Sequence, residues 1–449
     1  MNPHVANMRR VVASASIGTI VDWYDFFLYG TASALVFPKL FFPSDSAVTG
    51  TLLSFAVYAT GFLARPLGGA LSGHYGDKIG RKTVLMFTLL VMGLATTVIG
   101  VLPTYAVAGV AAPVLLVVIR LIQGLAAGGE WGGATLLTLE HSPNRGGFWG
   151  SFLSAAVYVG LLLGSLIFVI LQHVISNAAM MSWGWRIPFL LSIIIVAVGM
   201  YLRSKVTETP EFEELKASGS RSRIPLWEAL RTEPANILAI FLMRIGQNTS
   251  FYIVSVFCLA YATANLGISS NVTLVALMVA SAVAACACPF WGWVADRIGF
   301  GKVMVFSLAT SAIAAWPLFL VLGTKASVPI VIFFCAVIAI VNASNDAIQP
   351  GYFTRMFGAS VRYSGMSIGR EGGTIIGGGL APLIATWFLA AAGSWWAVAA
   401  WMVFTSLAGL AGVVLVRHLR PAGPVPSSAA PDSAARASAP QGDTPQAII

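Results

Sequence analysis

Apolar stretches of about twenty residues alternate with short polar connections along most of the chain. A helix needs about 20 apolar residues to cross the hydrocarbon core of a bilayer. Twelve stretches meet this length, and we place them at residues 14–38, 47–72, 83–103, 113–138, 148–173, 186–203, 236–262, 270–294, 303–323, 328–348, 363–391 and 394–416. The pattern predicts an all-α polytopic membrane protein with twelve transmembrane helices.

Composition supports this fold class. Hydrophobic residues make up 57% of the 449 and charged residues only 10%, whereas a soluble domain carries roughly 25% charged residues. The first apolar stretch is too long for a cleavable signal peptide and contains two aspartates. We therefore predict that it remains as a transmembrane helix.

The net charge of +9 follows the predicted topology and does not indicate nucleic-acid binding. Lysine and arginine cluster at the amino end, in alternate connections and in a long central loop, to which we assign Arg203, Lys205, Lys216, Arg221, Arg223 and Arg231. The opposite connections offer only Lys39, Arg186 and Lys325. By the positive-inside rule, both termini and the central loop are predicted to be cytoplasmic.

Nine ionisable side chains lie inside the apolar stretches. A charge near the middle of a bilayer costs ~2.5–3.5 kcal/mol, so it is kept mainly where it faces a polar cavity or a partner. The nine are Asp22, Asp25, Arg65, Arg120, Glu130, Arg244, Asp346, Arg370 and Glu371. Nine such charges of both signs indicate a hydrated pathway for a charged solute.

Asp22 and Asp25 are candidates for proton coupling. They are three residues apart, so they are neighbours on one helix face, and a rise of ~1.5 Å per residue places them about mid-membrane. Two desolvated carboxylates this close cannot both ionise easily, so we predict that one takes up a proton near neutral pH. The alternative is a structural ion pair with an arginine of a neighbouring helix.

Arg120 and Glu130 extend this set. Arg120 shares a helix face with Gly124 and Gly128, small residues that permit close helix approach. We predict that Arg120 pairs with Asp25 in one protonation state, so that protonation of the carboxylate releases the arginine. Glu130 is an alternative or second proton carrier.

Polar side chains at a spacing of four residues are candidates for substrate binding. Arg244, Asn248 and Tyr252 form one such stripe on the seventh stretch, and Asn342 and Asp346 form another on the tenth. A guanidinium, an amide and a phenol presented together suit a carboxylate and hydroxyl groups. Hydrogen bonding between helices is the alternative for each stripe.

Arg370 and Tyr29 complete the predicted substrate set. Arg370 and Glu371 point ~100° apart on a helix, so we expect that they do not pair with each other. A substrate contact is predicted for Arg370, with a structural ion pair as the alternative.

Two similar halves are visible in the sequence. The loop after the second stretch reads Gly73-His-Tyr-Gly-Asp77-Lys78-Ile-Gly80, and the loop after the eighth reads Gly292-Trp-Val-Ala-Asp296-Arg297-Ile-Gly299. Duplicated halves around a midplane site are the architecture of many secondary transporters. We predict a six-helix bundle at 1–203, a cytoplasmic loop at 204–234, a second six-helix bundle at 235–416 and a disordered tail at 417–449, which is rich in Pro, Ala and Ser.

The chain resembles the metabolite:proton symporter family of the major facilitator superfamily. The paired loops are typical of the superfamily, and the narrower resemblance rests on Asp22-Trp23-Tyr24-Asp25-Phe26, Arg65-Pro66-Leu67-Gly68-Gly69, Arg120-x-x-Gln123-Gly124-x3-Gly128-Gly129-Glu130-Trp131, Trp185-Arg186-Ile187-Pro188-Phe189 and Glu208-Thr209-Pro210-Glu211-Phe212. The resemblance implies two pseudo-symmetric six-helix bundles, with the first, fourth, seventh and tenth helices lining a central cavity. The run Arg355-Met356-Phe357-Gly358 and the pair Arg370-Glu371 depart from the family pattern.

The duplicated loops are expected to act as gates. Asp77 and Asp296 lie at cytoplasmic ends of helices, where a carboxylate can interact with the positive N-terminal end of another helix. The resemblance implies that such contacts latch the two halves in the outward-facing state. The predicted gating residues are Asp77, Arg81, Glu140, Arg145, Asp296 and Arg297, and solvated loop charges are the alternative.

The sequence carries no catalytic constellation. The glycines at 124–129 follow no strand, so a phosphate-binding loop is excluded, and the histidines lack metal-ligand spacing. We expect no enzyme activity and no cofactor or metal, with the proton as the only coupling ion.

These features together predict a multi-pass, monomeric symporter of a bacterial inner membrane. It would import a small organic acid, either a mono- or dicarboxylate or a shikimate-like ring acid, together with protons by alternating access. Its expected partners are the substrate, protons and the lipid bilayer, and not nucleic acid.

Three alternatives stay open. The first is a proton symporter of a zwitterionic osmolyte such as proline or betaine, for which Trp23, Tyr24 or Tyr252 would supply cation–π surfaces. The others are a proton-coupled drug exporter and a receptor that senses its ligand without transporting it.

Overall fold

The computed structural model describes residues 3–79, 81–140, 145–204, 225–358 and 361–419, and this part of the chain is helical, without strands. Ten of its helices are long and apolar enough to cross a membrane. The bent pair Asn177–Gly184 and Arg186–Tyr201, which meet at 52°, forms an eleventh span. A further helix, Pro3–Leu35, covers the first predicted span.

The twelve predicted spans correspond to helices that we number α1 to α12. In the first half they are α1 Pro3–Leu35, α2 Ala47–Leu63 with Arg65–Ile79, α3 Arg81–Val101, α4 Ala111–Ala127 with Glu130–Glu140, α5 Gly146–Val174 and α6 Arg186–Ser204. In the second half they are α7 Pro234–Tyr252 with Ile253–Phe257 and Cys258–Ala264, α8 Ser270–Ile298, α9 Phe300–Gly323, α10 Ser327–Ala336 with Val337–Asn342 and Ala343–Thr354, α11 Arg362–Thr374 with Ile375–Gly379 and Ala381–Ala392, and α12 Trp396–Leu419.

The two halves repeat the same helix packing. Helix α1 packs on α5, α3 on α6 and α2 on α4, and the corresponding pairs α7 with α11, α9 with α12 and α8 with α10 also pack together. The halves meet where α5 contacts α8 and α10, and where α2 contacts α11. This arrangement is the pseudo-symmetric pair of bundles that the sequence predicts. Most of the central loop and all but the first residues of the tail lie outside the described residues.

Glycines bring the two halves into close contact. A Cβ added at Gly292 on α8 would lie 2.4 Å from the carbonyl oxygen of Gly147 on α5, and one added at Gly147 would lie 2.6 Å from the carbonyl oxygen of Gly292. Only residues without a side chain permit this approach of two helix backbones. Within the first half, Gly124 is equally close to the backbone of Gly61, as its predicted packing role requires.

The segments Ile253–Phe257 in α7, Val337–Asn342 in α10 and Ile375–Gly379 in α11 are single π-helical turns. Such turns widen a helix locally and are frequent at functional sites. All three lie in helices that border the space between the halves.

Candidate functional site

A small closed cavity lies between the two halves. It is lined by Trp23, Trp131, Ser154, Val157, Arg244, Gln247, Asn248, Phe251, Asp346, Gln349 and Arg370. Its volume of about 10 Å³ is close to the minimum that one water molecule needs. The lining comes from α1, α4, α7 and α10, as the family resemblance implies, and also from α5 and α11. The cavity is therefore collapsed in this structure, with no room for an organic acid.

Asp346 on α10 is the centre of the polar network in this cavity. Its Oδ1 lies 3.3 Å from Nη1 of Arg244 and accepts a hydrogen bond of 3.2 Å from Gln349. Its Oδ2 accepts from Gln247 at 3.1 Å and from the Tyr158 hydroxyl at 2.7 Å. Both carboxylate oxygens are thus satisfied by the protein, so Asp346 is not a free ligand for substrate in this form.

Arg244 is held by acceptors from three helices. Its Nη1 donates to the side-chain carbonyls of Gln247 at 2.8 Å and Gln349 at 2.7 Å, and its Nε donates to Thr374 Oγ1 at 3.0 Å. Because these three acceptors are neutral, a substrate carboxylate could replace them without leaving a buried charge unpaired.

Arg370 pairs with its neighbour Glu371, contrary to the sequence-based expectation. The ~100° separation of their Cβ directions is overcome because both side chains are long and flexible, and a buried charge without a partner is costly. The Arg370 guanidinium also lies 3.9 Å from the Trp131 ring centroid, and its Nε has no hydrogen-bond partner. Arg65 on α2 is 3.8 Å from Glu371, which joins the two halves.

Asp25 is fully buried in the first half and lies outside the cavity lining. Its carboxylate accepts hydrogen bonds from Thr96 at 2.8 Å and from Ser192 at 3.0 Å. The predicted pair with Arg120 is not present: Arg120 donates to Gln123 at 3.0 Å, and Gln123 donates to Thr96 at 2.6 Å. Two neutral side chains therefore bridge the arginine and the aspartate, because a Gln one turn along α4 occupies the space between them. Asp22 is also buried and does not line the cavity.

Aromatic rings surround the Arg120 guanidinium. Its central carbon lies 4.0 Å from the ring centroid of Tyr29, 4.7 Å from that of Phe26 and 5.2 Å from that of Tyr58. Tyr29 stacks on Tyr58, and Tyr252 packs on Tyr58 from the second half. The Tyr29 hydroxyl has no hydrogen-bond partner among the described residues. Tyr29 and Tyr252 therefore belong to an aromatic layer beside the cavity, and not to its lining.

Glu130 pairs with Arg203, which sequence reasoning had assigned to the central loop. Arg203 lies in the last turn of α6, is 5% exposed, and also donates to the Leu85 carbonyl at 2.7 Å. Arg203 is the last residue of the predicted span 186–203 and was counted with the loop charges, so this buried partner was not predicted.

The two remaining residues of the predicted substrate set differ in position. Asn248 lines the cavity, and its Nδ2 has no hydrogen-bond partner. Asn342 donates to the Val337 carbonyl of its own helix at 3.2 Å and is not part of the lining. Val337 and Asn342 are the first and last residues of the π-helical turn, so the turn brings the side chain close to this carbonyl.

One of the predicted gating residues, Asp296, makes a contact at the junction of the halves. The Asp296 carboxylate accepts hydrogen bonds from the backbone N–H groups of Gly147 and Phe148, both at 2.9 Å, at the start of α5. Unsatisfied N–H groups and the helix dipole favour an anion there. The Arg297 guanidinium lies 3.9 Å from the Trp293 ring centroid, and Arg145 precedes α5. The side chains of Asp77, Arg81 and Glu140 lie outside the described part of the structure.

Sequence reasoning missed several residues of the site. Neutral side chains such as Gln247, Gln349 and Tyr158 do not stand out in an apolar stretch as charges do. The i, i+3 spacing of Arg244 with Gln247, and of Asp346 with Gln349, was the available signal. Among the described residues, no group of three or more His, Cys, Asp or Glu could hold a metal ion.

Comparison with family descriptions covers both halves of the chain. Residues 11–223 match the family described as sugar (and other) transporters. Residues 237–442 match the Major Facilitator Superfamily.

Several curated proteins are similar over nearly their whole length. The shikimate transporter of Escherichia coli strain K12 is 38% identical over 93% of this chain and 96% of its own. An inner membrane metabolite transport protein of the same organism is 36% identical over 85% of this chain and 88% of its own. A protein of Staphylococcus haemolyticus named for proline/betaine transport is 32% identical over 92% of this chain and 88% of its own.

Solved structures share the fold. The crystal structure of a D-xylose-proton symporter has a TM-score of 0.70 at 17% identity, covering 89% of this chain and 96% of its own. A partially occluded inward-open form of the Escherichia coli xylose transporter has a TM-score of 0.71 at 14% identity, covering 92% of this chain and 98% of its own.

Proposed function

The chain belongs to the metabolite:proton symporter family of the major facilitator superfamily, and on this basis we propose that it imports a small organic acid together with protons. It is a multi-pass membrane transporter and not an enzyme. The substrate class that we propose is a mono- or dicarboxylate or a hydroxylated ring acid.

Two guanidiniums that face one small cavity carry the proposal. Arg244 and Arg370 come from different helices, and both line the space between the halves. Arg–carboxylate pairs are among the strongest charge-assisted hydrogen bonds, and their geometry is specific. Asn248 adds a buried amide N–H without a partner, which suits a hydroxyl or a second carboxylate oxygen. Each of these groups would gain a partner when the cavity opens and an acid enters.

Asp25 is the proposed proton carrier. It is 0% exposed, and the groups that donate to it are hydroxyls and not cations. A buried carboxylate without an ionic partner gains more from a bound proton than a paired one does. Gln123 and Thr96 connect it to Arg120, so a change in its charge reaches α4.

An osmolyte such as proline or betaine is less well matched to this cavity. A quaternary amine needs a free aromatic face, but Arg370 covers the face of Trp131, and Arg65 lies 5.4 Å from the Trp23 ring centroid. Tyr24 donates to the Pro188 carbonyl at 2.8 Å, within the first half. An organic acid therefore matches this cavity better than an osmolyte does.

Relatives from Escherichia coli that are named as inner-membrane and shikimate transport proteins support the proposed location and substrate. We also propose that the protein is monomeric and, from the distribution of Lys and Arg, that both termini are cytoplasmic.

An uptake screen in inverted and right-side-out membrane vesicles tests the proposal. Radiolabelled shikimate, citrate, succinate, proline and betaine would be offered with and without an imposed proton gradient. We expect accumulation of an acid that collapses when the gradient is dissipated, and loss of accumulation in Asp25→Asn. Accumulation of proline or betaine alone would favour the osmolyte symporter, efflux driven by the gradient would favour an exporter, and binding without uptake would favour a receptor.

A further inference from the structure

The polar network at Asp346 crosses the boundary between the two halves. Tyr158 and Ser154 lie on α5 in the first half, whereas Asp346 lies on α10 in the second. The Tyr158 hydroxyl donates to the Asp346 carboxylate at 2.7 Å, and the Ser154 hydroxyl donates to its main-chain carbonyl at 2.6 Å. Alternating access moves the halves relative to each other. These two hydrogen bonds must therefore break or rearrange during each transport cycle.

The Asp346 carboxylate is compensated entirely by the protein in the collapsed cavity. Arg244, Gln247 and Gln349 supply donors from the second half, and Tyr158 supplies one from the first. The ionised carboxylate can accept from all of them, whereas a protonated one would lose acceptor capacity. This arrangement suits a charged Asp346 in the empty, closed protein.

A substrate carboxylate would disturb this balance. Arg244 and Asp346 both line the cavity and lie 3.3 Å apart. An acid bound at Arg244 would bring a second negative charge next to Asp346 in a space closed to water. Two carboxylates that share one guanidinium repel each other, and a proton on one of them removes the repulsion.

We propose that Asp346 is a second proton-carrying residue, which gives up Arg244 to the substrate carboxylate and takes a proton in its place. This inference rests on the proposed function. The O–H bond forms on an Asp346 oxygen with a proton from the external medium. It breaks after the substrate leaves toward the cytoplasm, when Arg244 and Tyr158 donate to the carboxylate again. The proton then passes to cytoplasmic water.

The other ionisable groups around Asp346 are compatible with this role. Arg244 faces it from α7, Arg370 from α11, Tyr158 from α5 and Cys288 from α8. The two arginines are cations that the substrate anion would engage. Tyr158 is a donor whose position depends on how the halves are placed. Proton uptake at Asp346 is thereby linked both to substrate binding and to the movement between the halves.

The role can be measured as a change in steady-state accumulation. Purified protein would be reconstituted in liposomes with radiolabelled shikimate as the probe and a pH gradient of about one unit, across which each coupled proton supports about a tenfold concentration ratio. We expect Asp346→Asn to lower the steady-state ratio of internal to external shikimate by about tenfold. Exchange of labelled for unlabelled shikimate at equal pH on both sides requires no net proton movement, so measuring it beside shikimate binding separates loss of coupling from loss of binding. Asp45→Asn, the same substitution in an exposed loop, serves as the matched control.

The outcomes separate the two proposals. An unchanged accumulation ratio in Asp346→Asn, or loss of exchange in a variant that still binds shikimate like wild type, would overturn the role of Asp346 while leaving the proposed function intact. Absence of any shikimate uptake by wild type would instead overturn the proposed substrate, and with it the premise of this inference.

Tyr158→Phe gives a second test that does not depend on the folding of the Asp346 variant. Removing one donor makes the ionised carboxylate less favourable, so Asp346 should take up its proton at higher pH. A hydrogen bond to a charged group contributes enough to raise the pH of half-maximal uptake by about one unit. A purely structural role for Tyr158 would reduce the uptake rate without moving the profile. An unmoved profile would therefore contradict the proposal.

Discussion

Buried charges in this protein are compensated in two different ways. Glu130 and Arg203 form a direct ion pair, whereas Arg120 is surrounded by rings and linked to Asp25 only through Gln123 and Thr96. In a direct ion pair, the neighbouring arginine keeps the acid ionised for as long as the pair lasts. A carboxylate held by neutral donors can change its charge at smaller cost. At the scale of the residue, this contrast separates Glu130, whose arginine lies away from the cavity, from Asp25. Asp346 is paired with Arg244, but that arginine lines the cavity, so a substrate carboxylate can take the partner away.

Glu130 is predicted to be structural on this basis. Removing one partner of a buried ion pair costs about 3–5 kcal/mol because the other charge stays uncompensated. We expect Glu130→Gln to lower the unfolding temperature of the detergent-purified protein markedly, and the double variant with Arg203→Met to restore part of the loss. A Glu130→Gln variant as stable as wild type but unable to accumulate substrate would instead identify Glu130 as a proton carrier.

Arg370 is predicted to set the affinity for the acid. It lies over the Trp131 indole and lines the cavity, and its Nε has no hydrogen-bond partner among the described residues. Lysine reproduces neither the stacking nor the planar fork of donors. We expect Arg370→Lys to raise the KM for uptake about tenfold, with a smaller change in maximal rate. Arg231, which lies over Trp227 in an exposed helix, provides the matched Arg→Lys control. An unchanged KM would show that Arg370 serves only its pair with Glu371.

At the scale of the helix, the sequence predicted well which helices exist and approximately where they end, because a span of apolar residues is a strong signal. It did not predict the π-helical turns in α7, α10 and α11, which depend on how neighbouring helices pack. Asn342 ends the turn in α10 and bonds to the backbone of its own helix. For side chains close to a π-helical turn, a spacing of four residues therefore does not predict correctly which of them share a helix face.

The contact of α5 with α8 is predicted to tolerate no side chain at Gly292. A Cβ there would lie 2.4 Å from the Gly147 carbonyl oxygen, and overpacking of this kind costs about 1–3 kcal/mol. We expect Gly292→Val to lower the unfolding temperature and the uptake rate together. Gly323→Val is the control, since nothing lies within 4 Å of a Cβ at that position. Equal stability of the two variants would contradict this assignment of the contact.

At the scale of the whole molecule, the duplicated halves and the charges that face the cavity could be predicted from sequence. Arg244, Asp346 and Arg370 were found because a charge inside an apolar span is costly without a reason. The pairing of charges could not be predicted, because it depends on the rotation and depth of separate helices. Glu371 therefore paired with both Arg370 and Arg65, and Arg120 did not reach Asp25.

Asp296 is predicted to hold the two halves together at their predicted cytoplasmic ends. Asparagine has no negative charge to offer to the start of α5, so Asp296→Asn should favour separation of the halves on this side. Spin labels on cysteines introduced at Lys82 and Lys302, in a background without the native cysteines, would report the distance between the halves. We expect a longer mean distance in Asp296→Asn than in wild type, and no change in the Asp45→Asn control. Identical distance distributions would exclude the latch.

The collapsed cavity has a consequence for the return step of the transport cycle. With room for about one water molecule, this form cannot carry cargo, and the contact between Arg244 and Asp346 leaves little unbalanced charge on the vacant carrier. The empty protein can therefore change conformation without exposing an uncompensated charge to the lipid.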